Sequence, residues 1–219
     1  MIKIQNLRFA YPNQPPLLAI DHWQIAQGDS VFLQGASGSG KSTLLSLITG
    51  VLQPEAEVFN ILDTDFLACS ATERDQFRVD HFGVIFQTFN LLPYLSAVEN
   101  VKVPLRFSKR RQTRVQADES PESLLLSLGL SEQQLHAKAS TLSIGQQQRV
   151  AAARAMIGSP EILIADEPTS ALDEDNRQRF IEHILSEAAR RNTTVIMVSH
   201  DLRIAEQFAR KHLIEEFRA

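Results

Sequence analysis

The stretch SVFLQGASGSGKSTLLSLITG, residues 30 to 50, restricts what this chain can fold into more than any other. A short apolar run bounded by Gly35 reads as a strand, and from Lys41 the pattern turns helical until Gly50 and Pro54 close it. A strand that leaves through Gly35, Gly38 and Gly40 and enters a helix at once gathers free backbone N–H groups, a helix N-terminus and a lysine at one point. That arrangement is a cradle for phosphate oxygens. The glycines keep Cβ atoms away from the anion, Lys41 supplies a mobile charge for β and γ phosphates, and Ser42 offers an oxygen to Mg²⁺. Ala36, Ser37, Ser39 and Thr43 belong to the same stretch and are nucleotide-binding candidates with it.

Two further apolar runs, EILIAD at 161 to 166 and TTVIMVSH at 193 to 200, have no polar alternation and read as strands buried on both faces. The segment EDNRQRFIEHILSEAARR between them places Phe180, Ile181, Ile184, Leu185 and Ala188 on one helix face. Strands alternating with helices predict an α/β fold with a mainly parallel sheet. The chain up to about residue 30 and the segment 56–66 predict antiparallel edge strands. Between about 90 and 140 only helices are expected, one of them opened by Ser120 and Pro121 and closed by Gly129. With 219 residues, 43% of them hydrophobic, the chain can bury one substantial core. We therefore expect a single domain, with a core from 1–88 and 142–219 and an inserted helical subdomain at 89–141.

No apolar run approaches the roughly 20 residues of a membrane helix, and MIKIQNLRFAYP lacks the apolar centre of a signal peptide. A cytosolic chain is expected. Cys69 is the single cysteine, so no internal disulfide forms, and no tight histidine cluster suggests a metal cage. A formal net charge of −4 argues against a nucleic-acid surface, and the one basic run, SKRRQTR at 108 to 114, reads as a solvated face.

The run ILIADEPTSALD ends its strand on two adjacent carboxylates. Asp166 is placed to hold Mg²⁺ through water, and Glu167 can orient and deprotonate an attacking water as general base. The stretch TLSIGQQQRVAAARAM, residues 141 to 156, sets Ser143 and Gly145 at the mouth of a helix, which is a second place for an anion to approach.

With GASGSGKS, LSIGQQQR, ILIADEP, SALD and VIMVSHD in this order, the sequence resembles the ATP-binding subunits of ABC transporters, over nearly its whole length. The resemblance implies a P-loop NTPase core, ATP and Mg²⁺ as ligands, ATP hydrolysis, and a homodimer in the ATP-bound state. It implies that Ser143, Gly145 and Gln146 complete the ATP site of the other subunit. It places Tyr11 against adenine, Gln87 near Mg²⁺ and the attacking water, His200 at the γ-phosphate, and Asp173 at the dimer interface. The family's usual first signature glycine is Ile144 here, and a β-branched residue requires an ordinary backbone conformation with its side chain turned from the nucleotide. QPEAEVFN lacks the usual glycines. KHLIEEFRA ends the sequence short of the family's further strand and Asp-Gly turn, leaving no C-terminal regulatory domain expected.

The segment FGVIFQTFNLLPYLSAVENVKVPL looks like the group serving lipoprotein-releasing, macrolide-exporting and cell-division-type systems, with Pro104 in its context as the cue. ATPases of polar amino-acid importers and soluble non-transport ABC ATPases are the alternatives. The resemblance implies an integral membrane partner, no nucleic acid, and a peripheral position on the cytoplasmic face of the inner membrane. Phe89, Leu91, Leu92 and Tyr94 are expected to offer that partner a partly apolar groove.

Overall fold

The computed structural model describes residues 1–36, 38–115, 120–169 and 174–219, with the backbone alone at 174–176. From the N-terminus run β1 (Ile2–Phe9), β2 (Leu18–Ile25), β3 (Ser30–Gln34), α1 (Lys41–Ile48), β4 (Val58–Ile61) and β5 (Thr64–Asp65). Then follow α2 (Ala71–His81), β6 (Phe82–Ile85), α3 (Ala97–Phe107), α4 (Lys109–Arg114), α5 (Pro121–Ser127) and α6 (Glu132–Leu135). The rest comprises α7 (Ile144–Met156), β7 (Ile162–Asp166), α8 (Glu174–Arg190), β8 (Thr194–Ser199), α9 (Leu202–Ala205) and β9 (Arg210–Leu213).

The strands form two sheets. One is antiparallel in the order β2-β1-β4-β5, and the other is parallel in the order β6-β7-β8-β3-β9. The parallel strands are apolar throughout because both of their faces are covered. Leu163, Ala165, Val195 and Met197 point into a core shared with α3, α5, α7 and α8. Their neighbours Ile162, Ile164, Ile196 and Val198 point into a second core shared with α1 and the antiparallel sheet. A side-chain period of two thus divides one sheet between two cores.

Local signals account for most helix boundaries. Ser70, Ser96 and Ser143 each accept the backbone N–H three residues on, while Glu73, Glu99 and Gln146 reach back to the cap's own N–H. Ser120 caps α5, Pro121 takes its first position, and Gly129 follows it at φ 84°. On α8, Phe180, Ile181, Ile184 and Ala188 are buried and Leu185 packs against them. The α5 boundaries and the α8 face agree with the sequence expectations, as do the two antiparallel edge segments.

Three expectations need correction. The basic run at 108 to 114 is not wholly a solvated face: Ser108 and Arg111 are buried, at 0% and 3% exposure. Arg111 faces the end of α7 and the start of β6, where the backbone carbonyls of Ile157, Phe82 and Ala155 accept from its guanidinium and replace the water it loses on burial. The C-terminal segment supplies a strand after all, since β9 pairs with β3 and is anchored by the buried Ile214 and Phe217 beyond it. Its residues, RKHL, carry no apolar run because the strand lies at a sheet edge. Phe89, expected at a surface groove, is buried, whereas Leu91 and Leu92 are half-buried and Tyr94 is exposed.

Candidate active site

The order of the parallel sheet decides where the motifs meet. Residues that follow β6, β7, β8 and β3 all emerge at carboxyl ends, and these four strands are consecutive neighbours. Gln87 follows β6, Asp166 ends β7 with Glu167 next, His200 follows β8, and the glycine loop follows β3. Such carboxyl-end crevices are where open α/β sheets take ligands. A cleft of about 470 Å³ opens there, and its walls include Lys41, Ser42, Gln87, Asp166, Glu167 and His200.

The glycine loop is shaped in two ways. Gly38 and Gly40 have φ values of 76° and 105°, in the left-handed region that glycine alone enters freely, and both line the cleft. Gly35 has no such need; a Cβ there would come within 2.2 Å of the Ile214 side chain, so packing is its constraint. Helix α1 starts at Gly40 with no side-chain cap, unlike α2, α3 and α7. Its first N–H groups are the uncapped positive end of a helix dipole. Ser39 Oγ is buried without a hydrogen-bond partner among the described residues, and Ala36 is exposed on the loop. Lys41 Nζ donates to the carbonyls of Gly35 and Ala36 at 2.7 and 2.8 Å, holding the loop closed on itself. Uncapped amides, an unpartnered hydroxyl and a lysine suit an oxyanion. Ser37 lies outside the described residues, as does Asp173.

Opposite the loop, Asp166 is half-buried and takes a hydrogen bond from Ser42. Burial, then the adjacent Glu167 charge, raise its pKa, against the pull of Lys41 and that hydrogen bond. A hydroxyl, an amide oxygen and a carboxylate are the hard donors that Mg²⁺ prefers. Glu167 sits at φ 46°, a conformation a non-glycine residue holds only when its surroundings demand it. Its N–H donates to the Val198 carbonyl at 2.9 Å, Ser199 Oγ donates to its carboxylate at 3.1 Å, and His200 Nδ1 lies 3.0 Å from the same group. The carboxylate is fixed by both neighbours, while the histidine ring itself is 73% exposed.

Other predicted residues lie off the cleft wall. Tyr11 is partly exposed and its hydroxyl meets Thr43 Oγ1 at 3.1 Å, so it joins the site's edge through the first turn of α1. Ser143, Gly145 and Gln146 are not among the cleft's lining residues. Ser143 and Gln146 cap α7, with Gln146 Oε1 accepting the Ser143 N–H at 2.9 Å. Ile144 has ordinary helical backbone and is 55% exposed. Two residues escaped the sequence reading. Leu17 lines the cleft beside Gly40, and Gln148 donates from within the core to the Pro168 carbonyl at 2.6 Å, tying α7 to the segment after Glu167. Nothing local marks Leu17; Gln148 is marked by being a glutamine on a buried helix face.

Known proteins resemble this chain in both sequence and fold. The sequence profile of the ABC transporter family matches residues 18–170. The chain is 37% identical over 219 residues to the macrolide export ATP-binding/permease protein MacB of Haemophilus ducreyi, covering 99% of this chain but 31% of that protein. It is 36% identical over 219 residues to the lipoprotein-releasing system ATP-binding protein LolD of Hydrogenovibrio crunogenus, covering 99% and 94% respectively. The ATP-binding cassette MJ0796, solved as a dimer in a post-hydrolysis state with ADP and Pi, superposes with a TM-score of 0.82 at 32% identity, over 97% of this chain and 94% of its own.

Proposed function

This chain belongs to the ABC transporter family, and from that premise we propose that two copies clamp ATP between them and hydrolyse it to drive a membrane partner. The observation that carries the reading is the convergence of Gln87, Asp166, Glu167 and His200 on the glycine loop at four neighbouring strand ends. ATP enters as substrate. Its phosphates take the amides of the loop and of α1, the free Ser39 hydroxyl and Lys41, which exchanges its two carbonyl partners for phosphate oxygens. Tyr11 packs at the adenine end. Ser42, Asp166 and Gln87 would hold Mg²⁺, which when bound neutralises developing phosphate charge. Glu167, fixed by Ser199 and His200, accepts the proton of the attacking water, and His200 faces the γ-phosphate.

Ser143, Gly145 and Gln146, standing off their own chain's cleft, act on the ATP of the second copy. Capping engages the Ser143 oxygen as acceptor and leaves its O–H proton to donate. Residues 89–141 form the helical lobe that moves on closure. The partner is an integral membrane subunit of the lipoprotein-release or macrolide-export type, met at the exposed Tyr94 and half-buried Leu91 and Leu92, with this chain on the cytoplasmic face. Similarity to LolD over 94% of that protein supports this type.

A mixed dimer tests the shared site. One copy carries Glu167→Gln and the other Gly145→Asp, whose carboxylate repels phosphate at short range. Each variant alone is expected to be nearly inactive. Random mixing pairs half the molecules, and each pair keeps one sound site, so roughly a quarter of normal turnover returns if sites act independently. A Gly145→Asp protein that hydrolyses ATP normally, at a rate per chain independent of concentration, would refute the shared site.

A further inference from the structure

Phe89 and Asn90, just beyond Gln87, both adopt left-handed backbone, with φ values of 59° and 47°. Asparagine tolerates that region, but a bulky residue such as Phe89 enters it only where its surroundings compel it. The turn has some internal support. Phe89 N–H donates to the Phe86 carbonyl at 3.0 Å, Asn90 N–H to the Thr88 carbonyl at 2.7 Å, and Thr88 Oγ1 to Asn90 Oδ1 at 2.8 Å.

The remaining hold comes from a distant part of the chain. Arg154, on α7, donates Nη1 to the Asn90 carbonyl at 2.6 Å and Nη2 to the Phe89 carbonyl. The guanidinium is half-buried and forms no ion pair with a carboxylate among the described residues; it serves these two carbonyls. Two carbonyls turned the same way by consecutive left-handed residues match a planar fork, whereas a lysine ammonium is a point charge on a flexible stem. The same helix begins at the Ser143–Gly145 turn, roughly 14 Å away along its axis. One side chain therefore joins the helix that carries that turn to the loop that carries Gln87.

We propose that Arg154 is a positioning residue for hydrolysis: it holds the 88–90 turn so that Gln87 reaches the cleft, and it makes α7 and that turn move as one body. The proposal rests on the reading of Gln87 as part of the ATP site.

The test compares steady-state ATP turnover and thermal midpoint for the purified protein, Gln87→Ala, Arg154→Lys and the double variant. Gln87→Ala turns over slowly. Arg154→Lys lowers kcat by roughly 2- to 30-fold with KM for ATP and the thermal midpoint nearly unchanged. The double variant is no slower than the slower single one, because both lesions act through the same amide. Thr88→Val, which loosens the turn without touching α7, gives a smaller loss of kcat that also vanishes in the Gln87→Ala background; it carries the test if Arg154→Lys does not fold. Normal kcat in both Arg154→Lys and Thr88→Val, or losses that multiply with that of Gln87→Ala, overturn the positioning role while leaving Gln87 in the site. Normal turnover by Gln87→Ala overturns the reading of Gln87 and the proposal with it.

Discussion

Around the amino ends of β6 and β7, Arg111 gives its guanidinium to the carbonyls of Phe82, Ala155 and Ile157, and Glu161 sits between Arg114 and His81. At the carboxyl ends of the same two strands, Asp166 and Glu167 stand side by side, with Lys41 across the cleft turned to loop carbonyls. Both ends bury charge. At the amino end opposite charges and matched donors meet, so burial pushes the Arg111 pKa down to about 10 without neutralising it. Glu161, which burial alone would raise, is held at about 2 by hydrogen bonds from Arg114 and by His81 beside it. At the carboxyl end burial and, after it, the adjoining like charge of Glu167 raise Asp166. One end has used its electrostatics for stability, and the other keeps its groups ready for a ligand that brings opposite charge.

Breaking each end separately should give opposite phenotypes. The largest effect is expected from Glu167→Gln, which should retain ATP binding yet lose about 10²- to 10⁴-fold in turnover, roughly 3 to 5.5 kcal/mol of barrier. Hydrolysis assays paired with equilibrium nucleotide binding check it, and near-normal turnover would remove Glu167 from the base role. Thermal stability should hold or rise, because relieving the neighbouring charge also relieves Asp166.

At the other end, Arg111→Met should lower the unfolding free energy by about 3 kcal/mol, since it strands buried carbonyls at three positions and leaves Glu161 with one cation fewer. Turnover per folded molecule should be unchanged. Denaturant unfolding together with active-site titration separates the two quantities.

The smallest effect sharpens the comparison by its pH dependence. Glu161 has a folded pKa of about 2 against an ordinary 4.5, so its ion pairs stabilise the fold fully above about pH 4.5 and fade as pH falls toward 2. Glu161→Gln should therefore cost about 2 to 3 kcal/mol at pH 7 and much less near pH 2.5. Unfolding curves at the two pH values would show it. A cost independent of pH would mean that Glu161 stabilises by packing rather than by charge.

Much of this molecule can be read along the chain. The strands at 30, 162 and 194, the Ser120 cap, the glycine loop and the paired carboxylates follow from period, capping chemistry and turn residues, which act over a few neighbouring positions. The ordinary backbone of Ile144 followed from β-branching alone. What the sequence could not settle is which distant groups meet. Strand order brought Gln87, Asp166 and His200 to the loop; tertiary packing turned Arg111 inward from a basic run, drew Phe89 into the core and made an edge strand of RKHL. It also set Glu167 and Phe89 in left-handed backbone that no local preference would choose. The reason is physical: local propensity is decided by a residue and its near neighbours, whereas the cost of a buried charge or a strained dihedral depends on partners that chain folding alone brings within reach.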